Sequence, residues 1–292
     1  ECTLRAAIQE ANANGVAGDT INFVILGGGV RTISPAIPLP DITQALTIDA
    51  TTQPGYDGSP MIELNGSNAG PGAAGLTVLA GNSTIRALAI NGFDTSGLLL
   101  VNEGQNLVVG NHLGTDASGT IGKGNGLNGL TIIDSAQNVI GGATPADRNV
   151  ISGNGTNGIA IFNSGSTDNR VTGNHIGINA STLNSAALGN GQSGVLISAV
   201  VGETEYASDN FIGGTGSGEG NVISGNGQHG IYIFKGTRNQ VLGNIIGLNA
   251  LGDDFMSNLR DGILIEESAD NRVGSGVAQG KNVISGNGEN GI

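Results

Sequence analysis

The chain has 292 residues, of which 53 are glycine, none tryptophan and only 3% aromatic. A compact core built on large side chains is therefore excluded, and the apolar material must be spread thinly. The net charge of −13, from 24 acidic against 11 basic residues, repels nucleic acid and anionic membrane surfaces. It also disfavours polyanionic glycans unless calcium bridges the two.

The absence of a Gly-X-Y period excludes collagen, and 38% apolar residues at regular spacing exclude a disordered chain. No stretch approaches a membrane span. Cys2 is the single cysteine, which excludes an internal disulfide; it reads as a small buried apolar group. The opening ECTLR, without Met, reads as a processed or trimmed product.

Taken in chain order, residues 3–13 predict one amphipathic helix with Leu4, Ala7, Ile8 and Ala11 on a shared face. Residues 1–19 form a capping segment, and residues 20–292 one solenoid. Within it, residues 20–105 make irregular first coils with DTINFVIL, LTIDA, MIELNG and LTVLAG as strands. Residues 106–292 make regular super-repeats and stop inside a coil.

The regular part writes NVISGN three times, at 149–154, 221–226 and 282–287. A second phrase reads NLVVGNHLG (106–114), NRVTGNHIG (169–177) and NQVLGNIIG (239–247). Between copies of the second phrase the spacing is 63 and then 70 residues. Short phrases of Gly followed by alternating apolar residues recur between them: GLTI, GIAI, GVLI, GIYI and GILI. Each has the period-two alternation of a strand with one buried face and is too short for a helix. Gly and Asn punctuate them, and both tolerate positive φ.

A 63-residue super-repeat divides into three turns of about 21 residues, a solenoid period. The expectation is an all-β fold, a right-handed parallel β-helix with a short N-terminal capping helix. Asn149, Asn221 and Asn282 start strands and stack into amide ladders. Gly153, Gly225 and Gly286 turn the corner after them.

The opening ECTLRAAIQEANAN resembles the CSLREA segment at the start of many secreted bacterial β-helix proteins. The later ITQALTIDATTQPGYDGSPMIELNGS and the GN-x-IG…NVISGN repeats are similar to the same group, and the resemblance covers essentially the whole chain. Thr3 and Ala6 stand where the usual phrase carries Ser and Glu. The resemblance implies a right-handed parallel β-helix that is extracellular or at a cell surface. It implies no particular activity.

Several motifs read as structure. Five G-x-G-x-x-G loops lack the following helix of a dinucleotide site. His112 and His175 hold equivalent places, but at three coils they stand roughly 14 Å apart, too far to share a metal ion. His229 shows no partner. Asp116, matched by Asn179 and Asn249, reads as a turn cap. Arg170 and Arg272 follow ladder asparagines at matched positions, without a convergent acid–base set, so no catalytic residue is assigned. Nine aromatics read as scattered, which argues against a strong sugar groove.

Two segments depart from the repeat, and departures are where solenoids graft function. The loop 198–210 offers Glu203, Glu205, Tyr206 and Asp209 as ligand-binding candidates. The loop 252–262 offers Asp253, Asp254 and Asp261 as candidate calcium ligands. The first functional reading is a non-catalytic extracellular rod, in a filament, sheath, stalk or adhesin, that associates with itself or with other surface and matrix components. The alternative is a polysaccharide-active β-helix enzyme (lyase, hydrolase or epimerase) or a glycan-binding module.

Overall fold

The computed structural model describes residues 3–292. Glu1 and Cys2 lie outside the described residues, and the reading of Cys2 with them. The chain begins with a helix, Leu4–Ala13, whose N-cap Thr3 side chain accepts from the Ala6 N–H. Leu4, Ile8 and Ala11 are buried on its inner face, where they join the same apolar core as the coils beyond. Ala7 is only half-buried.

The rest winds into three parallel sheets of nine, nine and seven strands. The first sheet runs from Asp19–Asn22 to Arg272–Val273, the second from Arg31–Ile33 to Val283–Ile284, and the third from Leu76–Val78 to Ile263–Glu266. Each strand pairs in parallel with its counterpart one coil away, so the chain is a right-handed parallel β-helix, as the repeats predict.

The coil length differs from the expectation. Successive asparagines of the first-sheet ladder lie 32, 31, 41, 29 and 32 residues apart. One coil is therefore about 30 residues and longer where it carries a loop. The two phrase families lie on one sheet: His112 pairs with Val150, and Val150 with His175. The steps Asn111–Asn149 and Asn149–Asn174 are 38 and 25 residues, which together give the 63-residue super-repeat. The super-repeat is two coils. Coils carrying GNHLG-type phrases extend into a hairpin, closed by the bridges Thr115–Gly122, Ile178–Ala187 and Leu248–Phe255, and NVISGN coils do not.

Three amide ladders run along the axis. In one, Asn111, Asn149, Asn174, Asn221, Asn244 and Asn282 each pass an amide hydrogen bond to the next. A second joins Asn106, Asn138, Asn169, Asn210, Asn239 and Asn271. The third joins Asn125, Asn154, Asn190, Asn226, Asn258 and Asn287. These side chains satisfy turn amides that the strands leave unpaired, which is why a buried corner tolerates them.

Small aliphatics fill the bore. Leu113, Ile151, Ile176, Ile223, Ile246 and Ile284 stack in register, the first five fully buried and Ile284 half-buried in the last coil. Each fully buried one contributes roughly 1.5–3 kcal/mol. The glycine before each third-sheet strand is a packing requirement: a Cβ on Gly158 would stand 2.6 Å from the Gly194 carbonyl and 2.7 Å from Ile176 Cγ2.

Candidate functional site

The three outer faces differ in what they leave open. The second sheet is covered by the hairpins. His112 and His175 share its outer row with Val150 between them, so they stand two rungs, roughly 10 Å, apart and not three. Both are buried, and His175 Nδ1 lies 3.1 Å from the Asn179 carbonyl. Burial pulls both imidazoles down to about 4, so both are neutral at pH 7. Asp116 caps its hairpin: Oδ1 accepts from the Thr120 and Ile121 N–H groups, each at 3.0 Å.

Further along this face, Glu63 is buried, accepting from Lys123 at 2.7 Å, Thr32 at 2.8 Å and Asn91 at 2.9 Å. Burial pushes its carboxyl up, but these donors outweigh that and hold it below its ordinary value. It is a satisfied ion pair joining coils 60 residues apart.

The third sheet is different. Its outward rows run in register along the axis. One reads Thr77, Leu99, Thr131, Ala160, Leu196, Tyr232 and Leu264. The next includes Val101, Ile133, Phe162 and Ser198, with Phe234 and Glu266 paired farther on. At the N-terminal end a groove of ≈ 520 Å³ lies over this face, with Leu99, Ile133 and Phe162 among its lining and Leu39, Leu127 and Val200 beside them.

Towards the C-terminal end the face becomes aromatic and charged. Tyr206 sets its edge against Phe234 at 5.8 Å between centroids, Phe234 lies 6.1 Å from Tyr232, and Tyr232 lies 5.4 Å from the His229 ring. Lys235 Nζ stands over both Tyr206 and Phe234, 5.4 and 5.0 Å from their centroids. The aromatics of this face are therefore clustered. Along the sequence they look scattered because Tyr206 arrives from an insertion whose path the repeat does not set.

Titratable side chains of adjacent coils also pair here, which corrects the expectation that His229 has no partner. His229 Nδ1 lies 3.1 Å from Asp261 Oδ2, without hydrogen-bond alignment, and both side chains are over nine-tenths buried. Burial pulls the imidazole down, against the raising effect of Asp261. Burial pushes Asp261 up, but the Asn290 N–H groups and His229 hold it below its ordinary value. The Tyr232 hydroxyl donates to Glu266 Oε2 at 2.6 Å; burial, then that carboxylate, pushes the phenol up to about 12. Lys235 pairs with Glu267 at 3.3 Å.

The sequence candidates fall into three places. Glu205 and Tyr206 come to the third-sheet face, Glu205 accepting from Ser164 Oγ at 2.7 Å. Glu203 remains in solvent. Asp209 pairs with Arg238 at 2.6 Å just before the first-sheet ladder. The acidic trio does not converge. Asp253 accepts from Asn249 Nδ2, Asp254 from the Phe255 N–H, and Asp261 from Asn290 and beside His229. Among the described residues no group of three or more His, Cys, Asp or Glu is placed to hold a metal ion.

Fold and site together define a right-handed parallel β-helix protein with a lateral groove and, farther along the same sheet, an aromatic and acidic patch. Among solved structures the chain is similar to the A-module of the mannuronan C-5 epimerase AlgE4 of Azotobacter vinelandii, at 16% identity and a TM-score of 0.43, over 99% of this chain and 91% of that one. It is also similar to the Dettilon tailspike protein, at 16% identity and a TM-score of 0.36, over 97% of this chain and 62% of that one. A third is the periplasmic alginate epimerase AlgG, at 13% identity and a TM-score of 0.35, over 88% and 76%. No family model and no curated protein sequence matches the chain, so its likeness to CSLREA-type proteins stands on the residues quoted above.

Proposed function

We propose that this chain is an extracellular or cell-surface protein that holds an extended polysaccharide along the outer face of its third sheet. The observation that carries the reading is the contiguous row Tyr206–Phe234–Tyr232–His229, in line with the apolar groove on the same sheet. A pyranose ring presents a face of C–H groups that stacks on an aromatic side chain, while its hydroxyls need acceptors at the rim. Glu205, Glu266 and Glu267 supply those acceptors. A solenoid holds such contacts on a rigid, linear frame, which suits a linear ligand. The carboxylates favour a neutral chain on this face.

The test is binding to a panel of soluble neutral oligosaccharides by calorimetry, with Tyr232→Ala and Phe234→Ala as variants. Binding weakened about tenfold by either supports the reading. Binding that both variants leave unchanged removes it from this face.

The rod reading keeps its scaffold here, since the ladders and the bore make a stiff body, but it places function on the face and not in polymerisation. A second reading, cleavage of the bound chain, is favoured by the His229–Asp261 and Tyr232–Glu266 pairs. In it the neutral imidazole is the base and the Tyr232 hydroxyl a proton donor. Release of new sugar ends by the wild type, lost in His229→Gln, supports it; no release from any bound glycan removes it.

A further inference from the structure

The first sheet carries a separate groove that neither the aromatic patch nor the ladders use. It has a volume of ≈ 440 Å³. Four residues paired in register form its long side: Arg170, Phe211, Gln240 and Arg272. Leu242 and Val277 line it as well, and Gly213, Gly214 and Gly276 leave space where side chains would close it. Gly213 has φ +82°, and a Cβ there would meet the Leu242 carbonyl, so this opening belongs to the backbone geometry.

We propose that this groove binds the anionic groups of an acidic sugar chain, Arg170 and Arg272 each taking carboxylate or sulfate oxygens. Three observations carry it. First, in a chain with 24 acidic residues against 11 Lys and Arg, neither of these arginines forms an ion pair among the described residues. Both are exposed. Second, Arg170 is stacked 4.4 Å over the Phe211 ring. Stacking fixes the guanidinium plane and leaves its N–H edge as a fork for two oxygens. Arg272 is fixed from the other side, its Nε donating to the Gly274 carbonyl at 3.1 Å.

Third, the two cations stand three rungs, roughly 14 Å, apart along the axis. One small anion cannot reach both. An extended ligand with repeated anionic groups can, its uncharged part lying on Phe211 and Gln240 between them.

The chain-wide charge disfavours polyanions, but screening limits its reach to about 8–10 Å, so side chains at the groove decide. One carboxylate opposes the ligand: Glu219 lines the same groove, with Oε2 accepting from the Gly216 N–H at 2.7 Å. Its removal should strengthen binding. This site is independent of the third-sheet reading, because it lies on another face and takes the opposite charge.

The experiment is calorimetric titration of the whole chain with three probes of matched length: an oligouronate, a sulfated oligosaccharide and a neutral oligosaccharide. The expected result is salt-sensitive binding of at least one charged probe to this face. Arg170→Gln and Arg272→Gln should each weaken it about tenfold or more, Arg170→Lys should recover only part of it, and Glu219→Gln should tighten it. Which charged probe binds assigns carboxylate or sulfate as the source. These surface variants preserve the fold, checked by circular dichroism, and Tyr232→Ala should leave this binding unchanged. Indifference of charged-probe binding to both arginine variants, its loss in Tyr232→Ala, or weakening of neutral-probe binding by the arginine variants as large as that of the charged probes overturns the proposal.

Discussion

Replacing Asn174 by alanine tests the ladder at its middle. Asn174 is fully buried. Its Oδ1 accepts from the Asn149 N–H at 3.2 Å and from Asn149 Nδ2 at 2.9 Å. Its Nδ2 donates to the Ile140 carbonyl at 2.8 Å, the Thr172 carbonyl at 3.0 Å and Asn221 Oδ1 at 3.0 Å. Alanine removes these bonds and strands the Asn149 N–H in the interior. The amide nitrogen has two hydrogens for its three acceptors, so it counts as two bonds; with the Asn149 Nδ2 bond, at about 1 kcal/mol each, and 1–3 for the orphaned Asn149 N–H, the cost is roughly 4–6 kcal/mol. Asn287→Ala is the comparison: that side chain is half-buried, its Oδ1 accepts from Asn258 Nδ2, and its Nδ2 donates only at 3.4 and 3.5 Å, to the Ile246 and Ser285 carbonyls, so its loss orphans no buried backbone N–H and costs about 1–2 kcal/mol. Solenoid stability is local, so the assay is amide hydrogen exchange with denaturant titration. The Asn149 amide in Asn174→Ala should lose about three orders of magnitude of protection. Equal effects from the two variants would show that a buried ladder rung contributes no more than the ladder's open end.

Three further outcomes follow from the same geometry. Because burial holds the His112 and His175 imidazoles near 4 in the folded chain, the unfolded chain binds more protons between pH 6.5 and 4. Stability should therefore fall on acidification through that window, by about 3 kcal/mol per histidine, and His112→Val should remove its share of the slope in pH-dependent denaturation. Asp116→Ala should cost roughly 1–2 kcal/mol through loss of the hairpin cap, read as faster exchange of the Thr120 and Ile121 amides with Asn149 unaffected. Chelation of divalent cations should leave the melting temperature unchanged, since Asp253, Asp254 and Asp261 are engaged separately; a fall on chelation would show a bound cation.

Most of the architecture is legible in the sequence because a solenoid writes its contacts locally. The repeated Asn marks a ladder rung, the alternation after Gly marks a strand, and the outward row at Thr131 can be aligned by eye through Ala160, Leu196, Tyr232 and Leu264. Coil length is hidden in the sequence because GNHLG and NVISGN differ as text yet occupy one sheet, distinguished only by the hairpin. The site was less legible for a related reason. Tyr232 and Phe234 sit in an alignable phrase, but Tyr206 reaches them through a loop, and Asp261 reaches His229 from the next coil. With the coil set at 21 residues, those neighbours fall out of register. That Arg170 and Arg272 form no ion pair among the described residues depends on where the carboxylates lie, which no repeat encodes.

On the proposed reading the third-sheet face holds a sugar chain. Hydrogen-exchange footprinting with a bound neutral oligosaccharide tests it most directly. Protection confined to the segments around Leu196–Tyr206, Tyr232–Lys235 and Leu264–Glu267 is the predicted result. Protection on the hairpins of the second sheet, with the third-sheet segments unchanged, would contradict it.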